Sequence, residues 1–196
     1  MDNTDEVEFY YDALTLEKYP FRVLALVTVL ADEKRAYRGT LSELCRELEI
    51  QPSGGNTARI KEALKVLVQN QYVHVLVDNY TYTITLTHAA TKDEKVLKIK
   101  KAWYALIREK SGTRDWGNAL KVFLFLLDIP RDTPITYQAI GNQIAVSSST
   151  VQRCVKHICS INFTDFKILK KAVNVKQPDG TFVCLGNTYE QALIFE

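Results

Sequence analysis

The chain has 196 residues, of which 46% are hydrophobic and 24% charged, with a formal net charge of +2. These values describe an ordinary globular sequence, long enough for one large domain or two small ones, and exclude a disordered or fibrous chain. The longest apolar runs, Val23 to Leu30 and Val122 to Leu127, fall well short of the ~20 residues a membrane-spanning helix needs, so no membrane partner is expected.

The first residues, Met1-Asp2-Asn3-Thr4-Asp5-Glu6, have neither the basic start nor the apolar core of a signal peptide, and the expected location is cytoplasmic. Cys45, Cys154, Cys159 and Cys184 form no paired motif. Cys45 and Cys154 fall on helical positions where a free thiol acts as a small hydrophobe, and a reducing compartment disfavours structural disulfides. Cys154, His157 and Cys159 lie close together, but without the spacing of a zinc site, and neither metal nor cofactor is expected.

In chain order, Val7 to Tyr11 reads as a short strand or extended arm. Tyr19-Pro20 marks a helix start, and from Phe21 the residues Leu24, Leu26, Val27 and Leu30 give a helical apolar stripe that Tyr37-Arg38-Gly39 ends. Thr40 is the expected N-cap of a second helix, with Glu43 as its capping-box partner and Leu41, Leu44, Cys45 and Leu48 turned inward. Gln51-Pro52-Ser53-Gly54-Gly55 reads as a turn, after which Asn56 caps a third helix with Ile60, Ala63, Leu64, Leu67 and Val68 buried. Thr57, Arg59, Lys61, Glu62 and Lys65 remain for solvent or a groove. The glycine pair is not a phosphate-cradling loop, since no lysine followed by serine or threonine accompanies it. Tyr72 to Val77 and Tyr80 to Leu86, parted by Asp78-Asn79, predict a tight hairpin with Tyr80, Tyr82, Ile84 and Leu86 on one face.

Thr87 to Glu94 is polar and reads as linker. Val96, Ile99, Trp103 and Leu106 predict a connecting helix over which Lys95, Lys98, Lys100 and Lys101 are spread, and Ser111-Gly112-Thr113-Arg114 should break it. A basic helix of this kind suits a DNA backbone, because lysine contacts to phosphate need no base geometry; Lys98 and Lys101 are the candidates.

The pattern then restarts. Asn118 to Leu127 supplies an apolar helix, Ile129 to Pro134 a turn, and Thr136 the start of a helix whose Tyr137, Ile140 and Ile144 echo Leu41, Leu44 and Leu48. Ser147-Ser148-Ser149 caps the next helix, whose Val151, Cys154, Val155 and Ile158 match Ile60, Ala63, Leu64 and Leu67 once five residues are allowed in the first turn. Its exposed face holds Ser149, Thr150, Gln152, Arg153, Lys156 and His157; arginine and glutamine have the chemistry to read guanine and adenine in a major groove. Phe166 to Val175 and Thr181 to Leu185, joined by Gln177-Pro178-Asp179-Gly180, form a second hairpin carrying Lys170, Lys171 and Lys176 near its tip, and the tail Tyr189 to Phe195 packs back or adds an edge strand.

Segments Thr40 to Leu86 and Thr136 to Leu185 resemble winged helix-turn-helix modules, most clearly in Ile135-Thr136-Tyr137-Gln138-Ala139-Ile140-Gly141-Asn142-Gln143-Ile144-Ala145-Val146-Ser147. Their doubling is similar to replication initiators and regulatory proteins of plasmids, phages and other mobile elements. The resemblance implies an α+β chain of two winged-helix domains, 1–90 and 115–196, joined by a helix and linker over 91–114. It also implies recognition helices at Thr57 to Asn70 and Ser149 to Ser160. On this reading the chain is a non-enzymatic binder of double-stranded DNA in replication, transfer or transcriptional control, alone or with a replication or transfer partner. As a homodimer it would read an inverted repeat. The alternative is a tandem winged-helix module that grips another protein in a DNA-associated complex. His74, His88 and His157 are scattered and join no carboxylate and serine in a catalytic arrangement.

Overall fold

Helices and antiparallel sheets alternate along an α+β chain that divides into two units, residues 1–101 and 102–196. The computed structural model describes residues 6–87 and 95–193; Asp2 and Asp5, the stretch 88–94 with His88 and Lys92, and residues 194–196 lie outside them.

The first unit runs β1 (Glu6–Tyr10), a short 3-10 helix (Asp12–Thr15), α1 (Lys18–Leu30), β2 (Ala36–Thr40), α2 (Leu41–Glu47), α3 (Gly54–Gln69), β3 (Val73–Asp78), β4 (Thr81–Leu86) and β5 (Val96–Lys100). Every residue of α1 from Pro20 to Val27 is buried, so this helix is covered all round rather than on one stripe. β2, β4 and β3 form an antiparallel sheet in that order, with Tyr37 opposite Ile84. The stretch Tyr37-Arg38-Gly39, expected only to end a helix, is therefore a strand whose partner lies far along the chain.

The expected connecting helix is corrected over its first part. Val96 to Lys100 is β5, which pairs antiparallel with β1, and it buries Leu97 and Ile99 while exposing Lys98. Three- and four-residue spacing mimicked a helix here, whereas the burial follows the two-residue period of a strand. The hairpin tip is corrected too. Asn79 and Tyr80 both hold positive φ (45° and 69°), as the mirror-image two-residue turn requires, and Tyr80 is 86% exposed instead of sharing the inner face with Ile84.

α4 (Lys101–Asp128) carries the chain into the second unit, followed by α5 (Tyr137–Ile144), α6 (Ser148–Ile158), β6 (Phe166–Lys176) and β7 (Phe182–Leu193). Gly112, at φ 69° and ψ 165°, interrupts α4 where a break was expected. The halves on either side pack together, with the Tyr104 and Trp116 rings edge to face at 5.7 Å. Trp103, Phe123, Phe163 and Phe166 form an aromatic cluster with ring centroids 4.8–6.4 Å apart. Residues 189–193 are not a separate edge strand but the end of β7, which pairs with the base of β6.

Ile135 exchanges two backbone hydrogen bonds with Asn187 of β7, at 3.0 and 2.9 Å. A single residue thus stands where β2 stands in the first unit, and both units read helix, strand, helix, helix, hairpin. Gly186 permits this approach, because a Cβ there would lie 2.6 Å from the Ile135 carbonyl.

The turns between paired helices match in detail. Thr40 forms the expected capping box, and Thr136 accepts from the Ala139 amide at 3.1 Å. Glu49 and Ala145 both hold left-handed backbone (φ 58° and 52°), and the next residue in each donates five residues back, Ile50 to the Cys45 carbonyl and Val146 to the Gly141 carbonyl. The expected cap at Asn56 is corrected: Ser53 caps α3, which begins at Gly54, and Asn56 instead donates to the Gln51 carbonyl. The serine side chain meets a helix amide that the glycines leave uncrowded, with nothing within 4 Å of a Cβ at either. The extra residues of the first copy therefore extend the turn and add a helical turn at the start of α3.

Sequence reading missed one shared device. Arg22 of α1 donates to the Leu48 carbonyl at 2.9 Å, and Lys121 of α4 donates to the Ile144 carbonyl at 3.2 Å. Leu48 and Ile144 are equivalent, and both cations are buried, at 5% and 0% exposure. Each places a positive charge at the negative end of the helix that precedes the turn.

Lys121→Ala should lower stability to urea unfolding by about 2–4 kcal/mol, because it opens a cavity and leaves a buried carbonyl without its donor, while Lys121→Met should lose less than half of that. Equal losses in the two variants would contradict a filled, capped site. In the turn, Ala145→Gly should gain about 1 kcal/mol by relieving left-handed strain. Gly141→Ala should lose about 1–3 kcal/mol, since its Cβ would fall 2.2 Å from the Val146 carbonyl oxygen. Thermal unfolding of both variants checks the opposite signs.

Candidate nucleic-acid interface

In the second unit the reading face is built by α6. Ser147 caps it, its Oγ accepting from the Thr150 amide at 3.4 Å and donating to the Thr150 hydroxyl at 2.9 Å. Val151, Cys154, Val155 and Ile158 are buried, which turns Ser149, Gln152, Arg153 and Lys156 outward. The helix contains no acidic residue. Arg153 pairs with Asp115 of α4 at 3.1 Å, and His157 is only half-exposed, turned to the same flank with its Nε2 out of water. Thr150 is half-buried and engaged with the cap. Of the six residues expected on this face, four are outward and two lie to its sides.

The hairpin lysines do not share one face. Along β6 the side chains alternate, so Lys170 follows buried Phe166 and Ile168 while Lys171 lies on the other side. Lys170 donates to the Tyr137 hydroxyl at 3.1 Å and lies over that ring. Lys171 borders an open depression with Arg131, Thr188 and Glu190, and Lys176 is exposed at the end of β6. Burial pushes the Cys159 thiol up, opposed by the charges of Lys170 and Lys167. Asp115 and Arg131 were not foreseen, since nothing local in the sequence ties them to α6 or β6.

In the first unit the corresponding face is more fully matched. Thr57 turns its hydroxyl back to the Ser53 and Gly54 carbonyls, at 2.9 and 3.1 Å, and Lys65 pairs with Glu62 at 3.0 Å. Arg59 and Lys61 are exposed on α3. Lys98 does not extend a basic helix: it sits in β5 opposite Glu8, with which it pairs at 2.9 Å, and that carboxylate raises the ammonium pKa. Lys101 borders a depression that also holds Glu6, Glu8, Asp32 and Glu33. Charge follows the same division. Residues 1–101 hold 14 basic and 15 acidic side chains, and residues 102–196 hold 11 and 8.

Beside α3 the surface is apolar. Leu64, Val68, Val75 and Tyr82 line a groove of about 490 Å³ between α3 and the β3–β4 hairpin, and Leu76 and Val77 of that hairpin are 60% and 58% exposed. His74 is exposed on β3. Cys45 and Cys154 are buried, and among the described residues no cluster of three or more His, Cys, Asp or Glu is placed to hold a metal. No described helix is long and apolar enough to cross a membrane. No protein-family model matches the chain, and no curated protein matches it significantly.

Proposed function

We propose that each unit is a winged helix-turn-helix and that the chain binds double-stranded DNA, with the second unit as its principal reading head. The observation that carries this reading is the outward face of α6: Ser149, Gln152, Arg153 and Lys156 on a helix without an acidic side chain, next to a long hairpin with Lys167, Lys170, Lys171 and Lys176. Gln152 and Arg153 supply the donors and acceptors for base edges, while the hairpin lysines and the amino end of α6 suit phosphate. The Asp115–Arg153 pair is exposed enough to be worth little, so a duplex can replace it at small cost. The doubled arrangement fits a replication, transfer or transcription regulator of a plasmid, phage or other mobile element, binding as a monomer on an asymmetric site or as a dimer on an inverted repeat.

A second reading is favoured by one observation. The apolar groove beside α3, where Lys65 is already paired with Glu62, suits a protein partner better than a phosphate backbone. The two readings are compatible when the first unit holds the partner and the second holds the DNA.

Fluorescence-anisotropy titration of a labelled duplex at several salt concentrations tests the proposal. Affinity should fall as salt rises, with a slope of about −0.9 per phosphate contacted, and Lys171→Ala and Lys176→Ala should each flatten that slope by roughly 1 and weaken all sequences alike. Absence of binding at low salt would overturn DNA recognition. Capture of a protein partner that survives neutralisation of Arg153, Lys156 and Lys170 would support the second reading.

A further inference from the structure

We infer that the second unit contains a binding site for a phosphate group, in the cavity between the break in α4 and the flank of α6. The cavity holds about 300 Å³ and is lined by Ser111 and Asp115 from α4 and by Arg153, Lys156, His157 and Ser160 from α6 and its end. It shares Arg153 and Lys156 with the outward face of α6, but a phosphate can occupy it whether or not that face reads a duplex.

Its polar groups are unbalanced in a way that calls for an anion. Asp115 is matched by Arg153 at 3.1 Å, which leaves Lys156 in excess. The Ser111 hydroxyl and the His157 Nε2 are both out of water and have no hydrogen-bond partner. Buried polar atoms without partners are costly, and these two belong to side chains that line one cavity, so a bound oxygen satisfies them once each side chain turns toward it. Ser160 is already engaged, donating to the His157 carbonyl at 2.6 Å. The remaining donors come from two helix segments that both line the cavity, Ser111 from α4 and Lys156 and His157 from α6, an arrangement suited to the several oxygens of a phosphate. Gly112 adds to this: its φ of 69° and ψ of 165° restart the helix beside Ser111 and Asp115, so a positive helix end lies at the rim.

The phosphate can belong to a small phosphorylated molecule or to the DNA backbone. Both present the same chemistry to the same donors, and the test separates them.

The full-length, isotope-labelled chain is titrated with inorganic phosphate at constant ionic strength while its amide resonances are followed. The expected result is saturable shifts centred on Ser111, Asp115, His157 and Ser160. Affinity should fall at least tenfold in the Ser111→Ala/His157→Gln double variant and, independently, in Lys156→Ala, whose exposed side chain makes a folding defect an inadequate explanation. Ser111→Ala alone should be as stable as the parent or more so, because it removes a buried hydroxyl that has no partner; a merely structural serine would lose stability instead. Shifts that never saturate, that persist unchanged in the variants, or that centre on Lys167 to Lys176 would overturn the site. A short duplex is then added to the phosphate-loaded protein. Displacement of phosphate assigns the donors to a backbone phosphate, and joint occupancy assigns them to a small molecule; either result upholds the site. The first titration contains no DNA, so its failure is distinct from failure of duplex binding.

Discussion

The geometry of both units depends on a buried cation held against the carbonyl end of a short helix. Arg22 reaches Leu48 and Lys121 reaches Ile144, each from the long apolar helix that precedes the pair. A charge in such surroundings is tolerated only where it is hydrogen-bonded, and a helix end is stable only where its last carbonyls find donors. One bond meets both needs. It also ties the central helix to the last carbonyls before the left-handed residue, and so fixes the point from which α3 or α6 departs. Arginine and lysine at equivalent places show that the charge and reach are shared, while the shape of the donor group is not.

On this common frame the two units present different surfaces. α3 begins one helical turn earlier than α6, its lysine at position 65 is neutralised by its own helix, and an apolar groove runs beside it. The α6 face has no acid of its own, and Arg153 there pairs with an acid from another element, Asp115. The hairpins diverge in the same sense. The first ends in a strained, exposed Tyr80, and the second is longer and carries lysine along its length. On the proposed reading, two modules with one order of elements divide their work, one towards a protein and one towards phosphate and bases.

What could be read from the sequence was local. Thr40 with Glu43, the helix start at Thr136, the apolar stripe of α6, that of α3 except for Val68, which is 43% exposed, and the turn at Gln177 to Gly180 each depend on residues a few positions apart, and each lies where expected. Apart from the Asn56 cap and the hairpin tip at Tyr80, the errors arose where a distant partner decides. β5 became a strand because β1 lies beside it, and β2 because β4 does. Lys98 resembled a free phosphate contact until Glu8 was placed across from it. Lys121 lay among Leu120, Val122 and Phe123, and only the fold shows that its ammonium group has a carbonyl to meet inside the core. In the candidate interface, residue types on α6 were legible, but Asp115 and the cavity behind Arg153 were not, because α4 must first bend at Gly112.

The most direct measurement is sequencing of duplexes retained from a randomised pool by the parent chain, by Gln152→Ala/Arg153→Ala and by Arg59→Ala/Lys61→Ala. The account predicts a motif enriched by the parent, lost in the α6 variant and kept in the α3 variant. A parent that enriches nothing, or a motif that survives the α6 changes, would contradict it.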